Sequence, residues 1–154
     1  MLAASLLGGT IAPAIDAPRE PAPRFRAKSM DGETFTNESL KDKVVLIQFW
    51  TTWCRYCRKD QAAVDELATE YSGRLVVLAV NMGESKRKVR EYLEGSPRAC
   101  KIVLAEDTNL AAALGADAFP KYVALDKRGG IAGVQDGAGG LEPLRELVKK
   151  AGLK

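Results

Sequence analysis

The sequence predicts an α/β domain built around a parallel strand pair, and three observations carry that prediction. Residues 44–47 (VVLI) form an unbroken apolar run, the pattern of a strand buried on both faces. Ala63, Val64, Leu67, Ala68 and Tyr71 then recur at helical spacing, with Arg58, Lys59, Asp60, Asp65 and Glu66 supplying the polar side. Residues 75–80 (LVVLAV) form a second apolar run, and Gly73 before it is the expected C-cap of the helix. Strand, helix and strand within about 40 residues make a right-handed βαβ unit the default, with its two strands parallel.

The remaining elements follow in order. Residues 1–15 (MLAASLLGGTIAPAI) are apolar and uncharged, and Ala12-Pro13-Ala14 has the form of a signal-peptidase site, so export is expected even though the basic start of a signal peptide is missing. The segment is too short to span a bilayer as a helix. Residues 16–23 (DAPREPAP) read as a Pro-rich extended linker, which gives an N-terminal segment over 1–21 and one domain over 22–154. Residues 25–35 predict a hairpin about Met30-Asp31-Gly32, and 37–40 a single helical turn. A helix over 85–93 is capped by Ser85 and ended by Gly95-Ser96-Pro97. Residues 102–105 read as a strand, 108–114 as a short helix stopped by Gly115, and 122–125 and 131–135 as an antiparallel hairpin. The last helix places Leu141, Leu144, Leu147, Val148 and Ala151 on one face, with Pro143 in its first turn and Gly152 past its end.

Composition excludes several chemistries. A net charge of +3 over 154 residues is too small to imply nucleic acid. The absence of histidine removes His acid–base catalysis, Cys-His nucleophile pairs and most catalytic zinc sites. Three cysteines leave one over, so they are not a disulfide framework.

What remains is Cys54 and Cys57, where the first buried strand passes into the helix. Unpaired N–H groups and the positive dipole end favour an anion there, and Arg55, Arg58 and Lys59 add positive charge. A thiol of pKa ~8.5 is only slightly ionised at neutral pH, and lowering it by one to two units, about 1.4 to 2.7 kcal/mol, makes a working nucleophile. Cys57 lies one turn on, on the same face, within reach of a disulfide. A purely structural bridge or half a zinc site would fit the spacing alone, but no second CxxC and no histidine support zinc. Cys100 reads as a partly buried structural cysteine rather than a resolving thiol. Trp50 is assigned to the core and Trp53 to a lid over the disulfide. Arg55, Arg58, Lys59 and Lys121 suit either solvated surface or a docking patch for an acidic partner.

Trp53-Cys54-Arg55-Tyr56-Cys57 after a buried strand resembles the WCxxC site of the thioredoxin superfamily. Ala22-Pro23-Arg24-Phe25, Asp31-Gly32, Leu40-Lys41-Asp42-Lys43-Val44-Val45 and Phe49-Trp50-Thr51-Thr52-Trp53-Cys54 resemble the opening of its extracytoplasmic TlpA/ResA branch, and Phe119-Pro120 falls at that branch's cis-proline. The resemblance implies a thioredoxin-like fold: a mixed sheet with helices on both faces, an N-terminal hairpin extension and an inserted strand and helix. It implies a thiol–disulfide oxidoreductase acting on protein thiols and disulfides, with Cys54 attacking and Cys57 resolving. Trp53, Arg55, Tyr56 and Thr51 would form the site's surroundings, and Phe119 and Pro120 would meet the substrate. No cofactor is expected beyond the Cys54–Cys57 disulfide, and no metal. The expected partner in turnover is an upstream thiol reductant or oxidant, and the expected state is a monomer.

Four positions depart from that pattern. Gln48 replaces the buried acid of classical thioredoxins, Arg55 a glutamate, Tyr56 a proline and Ala62 a helix-kinking proline. The proton acceptor for Cys57 is thereby left open between water and a carboxylate such as Glu106. Two rival readings are a thioredoxin-fold peroxidase and a redox-inert binding or chaperone module. Thr51 precedes Cys54 as in a peroxiredoxin, but Ile47 stands where that pattern has proline.

Overall fold

The computed structural model describes residues 18–154, so the apolar segment 1–15 and the start of the linker lie outside the described residues. A seven-stranded sheet of order β2-β1-β5-β4-β3-β6-β7 organises the chain. Its members are β1 (Arg26–Ser29), β2 (Thr34–Thr36), β3 (Val44–Trp50), β4 (Leu75–Asn81), β5 (Lys101–Thr108), β6 (Lys121–Leu125) and β7 (Ile131–Asp136). The helices are α1 (Arg55–Glu70), α2 (Lys86–Gly95), α3 (Leu110–Leu114) and α4 (Leu141–Lys150).

β3 is buried along its whole length and pairs in parallel with β4, from Val44 opposite Leu75 to Trp50 opposite Asn81. β4 and β5 are also parallel, whereas β6 runs antiparallel to β3 and to β7. The pleat sends alternate β3 side chains to two cores. Val44 and Leu46 pack with Val64, Leu67 and Tyr71 of α1 and Leu144 and Val148 of α4. Val45, Ile47 and Phe49 pack with Phe25, Leu40 and Leu110 on the opposite face. Helices thus cover both faces, and α2 with β5 forms the inserted unit between β4 and α3. Gly133 on β7 lies so close under α4 that a Cβ there would meet Leu147 Cδ1 at 2.8 Å.

Four expectations shift. Residues 37–40 form turns rather than helix. α1 ends at Tyr71, whose N–H reaches the Leu67 carbonyl, and Gly73 instead supplies the positive φ of 84° in the turn into β4. β5 runs on to Thr108 because β1 pairs along it, with Ala27 opposite Thr108. α3 starts later for the same reason, after Asn109, whose side chain bonds the Arg26 N–H and the Arg24 carbonyl rather than capping the helix. The linker's described end is pinned to the domain: Pro21 bridges Gly130, and Arg19 ion-pairs with Asp126 at 3.0 Å.

Candidate active site

β3 delivers the chain to the sheet edge where the parallel strands end. There the Cys54 N–H bonds the Thr51 carbonyl at 3.4 Å, closing a turn, and Arg58 N–H bonds the Cys54 carbonyl at 3.1 Å, opening α1. Cys54 is therefore the N-cap residue. Its Sγ takes the place that a serine or aspartate oxygen usually holds, accepting the Cys57 N–H at 3.1 Å. A disulfide joins the two cysteines, whose Cα atoms are 5.2 Å apart.

Exposure does not separate the two sulfurs. A place at the end of a strand suggests an open Cys54, and one a turn inside the helix a shielded Cys57, but Cys54 is 5% and Cys57 3% exposed. Cys54 follows a turn packed against the sheet edge, which buries it nearly as well as its partner. Trp53, expected as a lid over the disulfide, is 64% exposed. The cysteines are buried in one cluster with Trp50, Ala79, Val89, Ile102 and Leu104, and Phe119 and Cys100 lie against it. The Phe119–Pro120 bond is cis, and Pro120 is buried. Arg55 and Tyr56 are exposed, with Lys59 Nζ 5.5 Å from the Tyr56 ring centre. Thr51 is buried, and its Oγ1 has no hydrogen-bond partner among the described residues.

A carboxylate that sequence reasoning passed over fixes the approach to Cys54. Glu84, just beyond β4, accepts the Thr52 N–H and the Thr52 hydroxyl, each at 2.6 Å, and the Asn81 amide at 2.9 Å. Lys88 adds an ion pair at 2.9 Å. Burial opposes the charge, but the bonds from Thr52, Lys88 and Asn81 outweigh it and hold the carboxyl down at about 2. Asn81 and Glu84 close the neighbouring strand at the same edge, which is the sequence signal that could have found them.

Gln48 is fully buried and bonded to Arg98 and Tyr122, and Asp60 is 1% exposed rather than on the solvated side of α1. Arg98 carried no local signal, because its contact with Gln48 spans 50 residues. Glu106 is exposed on β5, two strands from β3, so it is poorly placed as acceptor for the Cys57 proton. Cys100 is unpaired, and burial pushes its thiol up to about 11, where it is a poor nucleophile.

The AhpC/TSA family profile matches residues 18–134. The thioredoxin-like protein YneN of Bacillus subtilis (strain 168) is 31% identical over 86% of this chain and 77% of its own. The thiol-disulfide oxidoreductase ResA of Geobacillus thermodenitrificans (strain NG80-2) is 28% identical, over 83% of this chain and 74% of its own. Among solved structures, a thiol:disulfide interchange protein of the thioredoxin family from Chlorobium tepidum TLS superposes with a TM-score of 0.77 at 24% identity, covering 88% of this chain and 98% of that one.

Proposed function

Since this chain belongs to the AhpC/TSA family and is a thiol–disulfide oxidoreductase, we propose that it exchanges disulfides with partner proteins through Cys54, with Cys57 as the resolving thiol. The observation that carries this assignment is the N-cap geometry. A thiolate at Cys54 Sγ would accept the Cys57 N–H at the 3.1 Å now seen, and would sit at the positive end of the 16-residue α1. Among the described residues no equivalent donor serves Cys57, which lies one turn inside the helix.

In the reducing direction, the Cys54 thiolate attacks one sulfur of the partner's disulfide and expels the other as a thiolate. Cys57, once deprotonated, attacks Cys54 Sγ, breaks the mixed disulfide and releases the partner's second thiol. Two electrons pass to the partner, and Cys54–Cys57 is left as the disulfide. Phe119, next to Pro120, packs an apolar ring against the cysteine cluster, where an extended segment of the partner would lie. No cofactor enters this scheme. Working outside the cytoplasm is supported by the signal-like segment 1–15.

The test is reduction of insulin by dithiothreitol, with hydrogen peroxide consumption measured in parallel. The expected result is a rate well above the uncatalysed one that is lost in Cys54→Ser, with little peroxide turnover. Peroxide consumption without insulin reduction would favour a peroxidase, and neither activity a redox-inert module.

A further inference from the structure

Gln48 stands on β3, six residues before Cys54, fully buried between the sheet and α1. Its amide is engaged at both ends. Arg98 Nη2 donates to Gln48 Oε1 at 3.0 Å, and Gln48 Nε2 donates to the Tyr122 hydroxyl at 3.2 Å. That hydroxyl donates to Asp60 Oδ2 at 2.8 Å, and the same carboxylate accepts the N–H groups of Gly139 and Gly140 at 3.3 and 2.9 Å. A guanidinium only donates and a carboxylate only accepts, so every bond in the chain runs one way, from Arg98 through Gln48 and Tyr122 to Asp60. A glutamate at 48 could accept from Arg98 but could not donate to Tyr122. The amide, which both accepts and donates, completes this one-way chain and separates a buried cation from a buried anion.

Arg98 comes from the segment between α2 and β5, and its side chain is only 1% exposed. It also binds Asp65 of α1 at 3.2 Å, and its guanidinium carbon lies 5.3 Å from the Trp50 ring centre. Trp50, Cys54 and Cys57 belong to one packed cluster, so the charge lies against a ring that packs in the cluster of the cysteines. Arg55 and Arg58 are nearer in sequence but exposed, and solvent and salt screen them. A desolvated charge is screened far less.

We propose that Arg98 is a positioning residue for disulfide exchange: its buried charge offsets that of Asp60 beside the start of α1 and favours the reduced, thiolate-bearing state of the Cys54–Cys57 pair. The proposal rests on the exchange reading given above. Reduction puts two electrons into the S–S bond, which breaks; with one proton taken up, Cys54 is left as thiolate and Cys57 as thiol. A fixed cation favours that anionic product over the neutral disulfide. The charged and titratable groups facing this space are Asp60 and Asp65 from α1, Tyr92 from α2, Cys100 before β5, Tyr122 from β6 and Arg98 itself. Tyr122 stays protonated, because burial and then the Asp60 charge push its phenol far above the ordinary range.

The experiment uses a Cys100→Ala background, so that only the site thiols report. The redox equilibrium against glutathione and the pH profile of Cys54 alkylation are measured for the parent, Arg98→Lys, Arg98→Met and the double variant Gln48→Leu/Arg98→Met. Arg98→Met is expected to shift the equilibrium toward the disulfide by about tenfold, about 30 mV, and to move the alkylation profile to higher pH. Arg98→Lys should keep most of the parent behaviour. The double variant removes donor and acceptor together, leaves no orphaned buried carbonyl, and decides the matter if Arg98→Met does not fold. An unchanged equilibrium and profile with only a lower thermal midpoint would make Arg98 a mere tie between loop and helix, and a loss as large in Arg98→Lys would overturn the charge argument. Insulin reduction by the parent is scored separately: its failure removes the functional reading, while the glutathione equilibrium still judges Arg98.

Discussion

At Glu84, four hydrogen-bonding partners converge on a carboxylate whose side chain is 5% exposed. The Thr52 N–H it accepts lies two residues before Cys54, so the ionised acid holds the turn that presents the N-cap sulfur. Its carboxyl is near 2 in the folded protein against an ordinary 4.5, so its stabilisation is complete above pH 4.5 and is lost as the pH falls toward 2. Glu84→Gln should cost up to about 3 kcal/mol at neutral pH, from a shift worth 1.36 kcal/mol per unit. In urea unfolding series, the gap between wild type and variant should close between pH 4.5 and 2. A gap independent of pH would show that shape rather than charge holds the turn. Neither Glu84 nor Arg98 stands out in the sequence, since each looks like one more charge in a polar segment, and only contacts 32 and 50 residues away give them roles. The cysteines are legible because their chemistry is local: strand end, cap and first turn lie within a few residues. Exposure is not local, which is why the burial of Cys54 is not readable from its place at a strand end.

At the scale of elements, α1 and α4 are joined through Asp60. α4 has no side-chain cap of its own, and its N-cap, Gly140, adopts a φ of 77° that favours glycine. The Asp60 carboxylate from the neighbouring helix accepts the Gly139 and Gly140 N–H groups instead, supplying the anion that a helix start favours. Asp60→Ala should therefore destabilise the protein by about 2 to 4 kcal/mol and speed amide hydrogen exchange at the start of α4. Loss of stability without faster exchange there would place the cost elsewhere, at Tyr122. The periodicity of α1 is legible from Ala63, Val64, Leu67 and Tyr71. Asp60 departs from it because a buried acid on the apolar side reads as a polar position until its partners on β6 and the α4 approach are known. Helix ends show the same limit. Gly73 serves the turn rather than the cap, and α3 yields its first residues to β5 because β1 competes for them.

Over the whole molecule, the β3-α1-β4 unit, the β6-β7 hairpin and α4 make the frame, and the segments before and after the inserted α2 carry Glu84 to the Thr52 turn and Arg98 to Trp50 and Gln48. The frame is readable from apolar runs, since a strand buried on both faces and an amphipathic helix leave unmistakable patterns. Strand order is not, because β5 pairs with β4 on one side and on the other with β1, more than 70 residues away in the chain. Among the described residues, no helix is long and apolar enough to cross a membrane. The account's central claim is that Cys54 attacks and Cys57 resolves, and covalent trapping on a disulfide substrate tests it most directly. Cys57→Ser should accumulate reductant-sensitive mixed disulfides with insulin or with cell extract, Cys54→Ser should accumulate few, and Cys100→Ser should behave as wild type. Equal trapping by the two single variants, or trapping by Cys54→Ser alone, would contradict it.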